Sequence, residues 1–321
     1  MIGVRYMDAI KGLGKGRFVG NWRRQRQLTQ ACLYLVLSFA AVVVLFPFYY
    51  MIISSLREPF YRFDAIELDL LPTAFNLVPY RTLLTATLPG VQEGHGVSAS
   101  LLLNGLKNTL ILEVVILVTS TFLNGLAAYA LAKRSFPGKE ALFALLISTI
   151  ILPGEVTLVP KYVMFYHWRL LGTLWPLILP SFTSVFGIFL MRQFMSSIPD
   201  AYLEAARIDG ANELQIIMRV VFPLSMPVMA TYGLFTFLGV WNDLMGPLIF
   251  LKEPETWPLT LALYSFVNSM NPFNVSISDP TGMLMQKTFA GLILSAVPPV
   301  VVFLIFQRRL VSGITLTGLR S

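Results

Sequence analysis

Residues 29–56 read TQACLYLVLSFAAVVVLFPFYYMIISSL and contain no charged side chain. A helix needs about 20 mostly apolar residues to cross the hydrocarbon core of a bilayer, and this block is longer than that. A secretory signal is the alternative, because basic residues precede the block. However, the apolar region of a signal peptide is only about 7–15 residues long and a small-residue cleavage site follows it. The block therefore predicts an uncleaved transmembrane helix.

Five further apolar blocks follow along the chain. The 321 residues are 55% hydrophobic and 13% charged, whereas soluble proteins average about 25% charged residues. This composition predicts an all-α membrane protein with six transmembrane helices in one domain, residues 29–307, between tails at 1–28 and 308–321. The predicted spans are residues 29–56, 108–132, 141–160, 170–191, 223–251 and 288–307.

The basic residues predict how the chain is oriented in the membrane. With the N-terminus inside, the inner segments carry 16 Lys and Arg and the outer segments carry 8. Cytoplasmic segments carry an excess of Lys and Arg, so both termini are expected in the cytoplasm. The net charge of +7 then reflects orientation and contact with anionic lipid, and it gives no reason to expect nucleic acid as a partner.

Motifs for catalysis or cofactor binding are missing from the sequence. Cys32 is the single cysteine, and His95 and His167 stand apart from any second metal-ligating residue, so we expect no disulfide and no metal site. A Gly-x-x-x-x-Gly-Lys-Ser/Thr phosphate loop is also missing. We therefore expect no catalytic residue and no cofactor in this chain.

The gap between the fourth and fifth predicted spans carries the most informative motif. Residues 197–213 read SIPDAYLEAARIDGANE and predict a helix, a stop and a second helix. Asp200 and Glu204 share one polar face with Arg207, since they are spaced by four and three residues. Gly210 suits the left-handed conformation that ends a helix, and Asn212 can cap the next one. Ala205 and Ala206 leave a low surface for another protein to approach.

This segment resembles the membrane-permease family of binding-protein-dependent ATP-binding-cassette importers. The family motif is Glu-Ala-Ala, three residues, Gly, nine residues and Ile-x-Leu-Pro. Residues 204–206, Gly210 and Pro223 match it, while Val220 and Phe222 replace Ile and Leu. Residues 241–243, Trp-Asn-Asp, and the ending at 307–315 look like the carbohydrate branch, in particular its maltose-type second permease. The resemblance covers about residue 108 to the C-terminus.

The resemblance implies a role and a set of partners. It implies a permease in a bacterial or archaeal inner membrane that works with a homologous second permease, two ATPase subunits that bind ATP and Mg, and an extracytoplasmic solute-binding protein. The cargo would be a sugar or oligosaccharide. Residues 196–222 would form a cytoplasmic coupling loop that docks onto the ATPase. The expected coupling residues are Glu204, Ala205, Ala206, Asp209, Gly210 and Pro223.

Polar residues inside the spans are candidates for the substrate pathway, because charged groups in a bilayer usually face a cavity or a partner. Glu113 and Glu155 are such residues, and the Pro153-Gly154 break predicts a bent segment beside Glu155. A carboxylate that snorkels near a span end, or that is hydrogen-bonded between helices, is the alternative for Glu113, Glu155 and Asp243. For Glu155 this alternative is the better explanation. Trp241, Asn242 and Asp243 fit a sugar better, since an aromatic face suits its C–H groups and polar groups suit its hydroxyls. Tryptophan is nevertheless common at membrane interfaces without a ligand.

Three other functions remain open from the sequence. The same kind of importer could carry glycerol phosphate, a polyamine or another polar solute. A membrane scaffold without transport activity would have the same spans. An ion-coupled carrier is a third reading, and it would transport solute without ATP.

Overall fold

The computed structural model describes residues 15–58, 71, 75–85, 99–269 and 283–318. Within these residues the regular structure is helical, and no strand occurs. The α-helices, in chain order, are α1 Lys15–Ser55, α2 Val78–Thr85, α3 Ala99–Lys133, α4 Lys139–Ser148, α5 Leu158–His167, α6 Trp175–Ser181, α7 Val185–Ser196, α8 Asp200–Ile208, α9 Glu213–Ile216, α10 Phe222–Leu224, α11 Met226–Asn242, α12 Met245–Phe250, α13 Leu259–Ser269 and α14 Leu284–Gly318.

Four stretches of helix in the described residues are long and apolar enough to cross a membrane. They are residues 26–55, 101–133, 175–196 and 285–307. Two bent helix pairs raise the number to six if each pair forms one span. The all-helical membrane architecture is therefore confirmed, and the described residues contain four to six stretches that could cross a membrane.

The helix ends differ from the predicted span ends. α1 and α3 begin well before residues 29 and 108, and α14 continues past residue 307. Backbone hydrogen bonding continues a helix into polar sequence, whereas hydropathy marks only the part that suits lipid. The apolar stretch that corresponds to the fourth predicted span begins at Trp175 instead of residue 170, because Gly172 adopts a left-handed conformation with φ of 81° just before it.

The two bent pairs lie where proline occurs. Residues 139–151 and 154–167 meet at 97° around Pro153, which confirms the predicted break. Residues 213–224 and 226–242 meet at 77° around Ser225, two positions after Pro223. Proline cannot donate a backbone hydrogen bond, and a π-helical segment, Ile217–Val221, precedes this second bend. Each pair passes as one apolar span when its two helices are taken together, so hydropathy does not show the bend.

Helix α3 is the centre of the packing. It contacts α7 most extensively and also packs against α11 and α13, while α14 packs against α11 and α1. Helix α1 differs, because its apolar residues from Leu28 to Phe46 are exposed within this chain. A continuous apolar surface of this size is unfavourable in water but suits lipid or another membrane subunit. Its position agrees with a membrane-embedded chain.

Candidate functional site

Helix α8 and the turn after it have the local structure that the sequence predicts. Gly210 is left-handed with φ of 81°. Its N–H donates to the Arg207 carbonyl, and the Ala211 N–H donates to the Ala206 carbonyl, both at 3.0 Å. These two bonds form a Schellman motif, which satisfies the last carbonyls of α8. Asn212 and Gln215 then form a capping box at the start of α9.

The two faces of α8 have different surroundings. Leu203 is buried and Ala206 is half-buried against the same apolar cluster, so this face packs inward. Glu204 and Ala205 are exposed on the opposite face, and Ile208, with 87% of its surface exposed, lies beside them. Of the two alanines proposed for docking, only Ala205 is therefore open to another protein. Sequence reasoning missed Ile208, although its position four residues after Glu204 places it on that face.

The N-terminal end of α8 is bonded to α3. Lys133 Nζ donates to the Ile198 carbonyl and to Asp200 Oδ1, the latter at 2.7 Å. The hydrogen bond from Lys133 and the charge of its ammonium group lower the pKa of Asp200. The Lys133 side chain is only 6% exposed, whereas that of Asp200 is 72% exposed. A nearly buried ammonium group requires such partners, so this contact is specific.

The start of α9, which follows the turn, is also bonded to α3. Glu213 Oε2 accepts a hydrogen bond of 2.8 Å from the Tyr129 hydroxyl. Glu213 Oε1 pairs with Arg134, the residue after α3, and with Arg207 at 3.4 Å. The polar face predicted for α8 is thus partly occupied by intramolecular pairs, because Asp200 and Arg207 are engaged. For Glu204 the described residues provide no ion pair.

A cavity of about 390 Å³ lies between α3, α6, α7, α11 and α12. Most of its polar lining consists of hydroxyl and amide groups, and Asp243 is its one carboxylate. The polar lining residues are Ser120, Ser181, Thr183, Ser184, Tyr232, Thr236, Asn242 and Asp243. Leu112, Ile116 and Val240 are among the apolar residues that complete the lining. A cavity that combines apolar surface with hydroxyl and amide groups is suited to a hydrogen-bonding solute.

A hydrogen-bond network lies at one wall of this cavity. The hydroxyls of Ser120 and Tyr232 bond to each other, and Asn124 Nδ2 donates to both, at 2.9 and 3.0 Å. Asn124 Oδ1 accepts from the Ser184 backbone N–H at 2.9 Å. The network therefore joins α3, α11 and the start of α7. Gly187 leaves room for the Tyr232 ring, because a Cβ at this position would lie 2.5 Å from it.

Sequence reasoning missed this network, although a signal for it exists. Besides Asn108, the buried polar residues of α3 are Thr109, Glu113, Ser120 and Asn124. Their spacings of four, seven and four residues place all of them on one side of a helix. Counting hydroxyl and amide groups along with charges in the second predicted span would have revealed a polar stripe facing the other helices.

The three residues proposed to contact a sugar have separate roles. Trp241 is 3% exposed, and its indole N–H donates to the Ser295 carbonyl at 3.1 Å. Phe237 stacks on its ring. Trp241 is therefore packed in the core and does not line the cavity in this structure, and its contact with a sugar stays a prediction. Asn242 and Asp243 do line the cavity, and Asp243 Oδ1 also caps Gly246 N at 3.1 Å.

The other two candidate carboxylates, Glu113 and Glu155, differ in burial. Glu113 is 4% exposed on the polar side of α3, and both of its carboxylate oxygens lack a hydrogen-bond partner within the described part of the chain. Glu155 is exposed at the bend that follows Pro153. Neither side chain lines the cavity, so the structure does not bring them together with Asn242 and Asp243.

Two curated relatives match most of the chain. The arabinooligosaccharides transport system permease protein AraQ of Halalkalibacterium halodurans is 26% identical over 88% of this chain and 94% of its own length. The osmoprotective compounds uptake permease protein GgtD of Synechocystis is 28% identical over 97% of this chain and 99% of its own length. Both names describe permease proteins, one of a transport system and one for the uptake of osmoprotective compounds.

A solved structure shares the fold. A chain of a bacterial ABC transporter involved in the import of the acidic polysaccharide alginate superposes with a TM-score of 0.75 and 24% identity, covering 89% of this chain and 97% of that one. Residues 96–316 match the family described as binding-protein-dependent transport system inner membrane component. This matched range holds the capped turn after α8, the polar cavity and the network that borders it. The chain belongs to the family of inner membrane components of binding-protein-dependent transport systems.

Proposed function

We propose that this chain is the transmembrane permease subunit of an ATP-binding-cassette importer that translocates a sugar or oligosaccharide. The observation that carries the proposal is the pairing of two features in one helical chain: a polar cavity among apolar helices, and a capped helix, α8, whose exposed face includes Ile208. The cavity suits a polar solute, and the exposed apolar face suits a protein partner. Family membership links both features to transport.

The proposed topology has six crossings, with one crossing in residues 139–167 and one that begins after residue 222. The 16 to 8 distribution of Lys and Arg supports cytoplasmic termini. The contacts of Lys133 with Asp200 and of Arg134 with Glu213 support the same arrangement, because they join two segments that the charge count assigns to the cytoplasmic side. Residues 196–222 then form the cytoplasmic coupling loop.

The proposed contact with the ATPase subunit uses the outward face of α8. Glu204 offers an unpaired carboxylate, Ala205 offers a close approach, and Ile208 offers apolar surface that the chain itself leaves uncovered. Asp209, Gly210 and Pro223 shape the segment instead of contacting the partner. ATP and Mg would bind to the ATPase subunits, of which the assembly would contain two.

The proposed cargo follows from the chemistry of the cavity. Sugars present many hydroxyl groups, and the lining supplies hydroxyl and amide groups that donate and accept hydrogen bonds. Asp243 adds a carboxyl group to the lining, and its oxygens can accept hydrogen bonds from sugar hydroxyls. The AraQ name supports an oligosaccharide, and the GgtD name supports another polar solute as the second candidate.

The remaining proposed partners are a homologous second permease, an extracytoplasmic solute-binding protein and membrane lipid. The exposed apolar length of α1 supports lipid or a second membrane subunit around it. A scaffold without transport activity and an ion-coupled carrier remain the rival functions, and ATP dependence separates both from an importer.

Reconstitution of the complete complex in proteoliposomes tests the proposal. Uptake of labelled arabinooligosaccharides and ATP hydrolysis should both require the binding protein. Ile208→Asp and Glu204→Lys should lower retention of the ATPase subunits on purification, whereas Glu140→Gln, a change at an exposed residue outside α8, should leave it intact. Uptake that continues without ATP would establish an ion-coupled carrier instead, and a complex without any solute uptake would favour a scaffold.

A further inference from the structure

Helix α3 contacts the α8–α9 unit at both of its ends and in its middle. Lys133 holds the start of α8 through Ile198 and Asp200, and Tyr129 with Arg134 holds Glu213 at the start of α9. Between these points Leu203 is buried in an apolar cluster that includes Ala128 and Tyr129 of α3. Three separate contacts fix the position and the tilt of α8 relative to α3.

The same helix reaches the cavity without interruption. Residues 99–133 form one helix, and Ser120 and Asn124 on it belong to the network with Tyr232 and Ser184. Nine residues separate Ser120 from Tyr129, which corresponds to about 14 Å at 1.5 Å per residue. A displacement of α8 would therefore move the end of a helix whose middle forms a wall of the cavity.

The covalent route from α8 to the cavity is less direct. It passes through the π-helical segment, Ile217–Val221, and through the 77° bend at Ser225 before it reaches Tyr232 on α11. Both features interrupt regular helical hydrogen bonding and can absorb a displacement by bending. Helix α3 has neither of them, so it is the stiffer of the two connections.

We infer that α3 is the element that transmits movement of α8 to the cavity, and that Lys133 and Glu213 are the positioning residues that fasten α8 to it. This inference rests on the proposed importer function. It identifies the helix through which a movement caused by ATP hydrolysis on the partner is transmitted to the solute cavity. The Ser120–Asn124–Tyr232–Ser184 network is the receiving end, since it joins three helices and its bonds must break or re-form if α3 shifts against α7 and α11.

The number of solute molecules transported per ATP hydrolysed tests this inference in the reconstituted complex. Lys133→Met removes the ammonium group but keeps an unbranched side chain, and Glu213→Gln removes the charge that faces Arg134. Asp200→Asn is a third and milder variant, because asparagine keeps an oxygen that can accept from Lys133 and the Ile198 carbonyl remains as the other partner. Each should lower the transport-to-ATP ratio, with about a fivefold loss or more for Lys133→Met and Glu213→Gln.

Glu140→Gln is the matched control. It weakens another ion pair near the same end of the helices, Arg192 to Glu140 at 3.3 Å, which joins α7 to α4 and does not touch α8. Its ratio should equal that of the wild type. A double-mutant cycle of Tyr129→Phe with Glu213→Ala should show less-than-additive losses, because each of these changes removes the hydrogen bond between the two side chains.

The outcomes separate the two proposals. A wild-type ratio in Lys133→Met and Glu213→Gln, in a complex that transports solute, would overturn the role of α3 and leave the importer function standing. Additive losses in the cycle would overturn the Tyr129–Glu213 contact as part of the route. A wild-type complex that neither transports solute nor hydrolyses ATP would instead refute the proposed function, and the inference with it.

Discussion

The turn after α8 and the cavity beside α3 differ in how they are built. The turn is made by neighbours in sequence: Gly210 ends one helix and Asn212 caps the next, within a few residues. The cavity wall is made by residues far apart, such as Ser120, Ser184 and Tyr232. The structure of the turn thus depends on neighbouring residues, whereas the structure of the cavity depends on how whole helices pack.

The largest effect should come from Trp241, which the sequence assigns to the solute and the structure assigns to the core. Trp241→Ala should cost about 3–5 kcal/mol, because a large buried ring is removed from a packed cluster. The yield and thermal midpoint of the purified complex should fall sharply. Asn242→Ala, at an exposed neighbouring side chain, should leave both unchanged. A stable Trp241→Ala complex that has lost only its uptake would restore the sugar-contact interpretation.

A glycine pair tests whether the cavity wall depends on tertiary packing. Gly187→Ala places a methyl group against the Tyr232 ring, which must move, and overpacking of this kind costs about 1–3 kcal/mol. Both the thermal midpoint and uptake should fall. Gly239→Ala also lies at the cavity, but its added Cβ would meet nothing within 4 Å. Equal effects of the two substitutions would mean that the Tyr232 network does not support the wall.

The smallest effect on stability should come from the turn, where the contacts are local. Gly210→Val forces a β-branched residue into a left-handed conformation, at a cost of about 1–2 kcal/mol, although no neighbour obstructs it. The variant should insert and assemble, yet transport poorly. Gly210→Asn is the control, because asparagine tolerates this conformation. If the Gly210→Val variant transports as well as the Gly210→Asn variant, the turn does not determine the orientation of α8. Uptake and membrane content, measured on the same preparations, give the comparison.

Several features of this protein could be predicted from the sequence because they depend on near neighbours or on hydropathy. The helical membrane character, the break at Pro153, the left-handed Gly210 and the Asn212 cap belong to this group, and the structure confirms each of them. The family could also be recognised, since its motif occupies one short segment around residues 204–223.

The tertiary structure decided which polar and aromatic residues meet. Trp241 and Asp243 lie two positions apart, yet one is buried among α11, α13 and α14 and the other lines the cavity. Ser120 and Asn124 become part of a wall only because α7 and α11 bring Ser184 and Tyr232 to them. Sequence spacing fixes the side of a helix on which a residue lies. Which helix faces that side depends on packing over the whole chain, and so the solute site could not be located from the sequence alone.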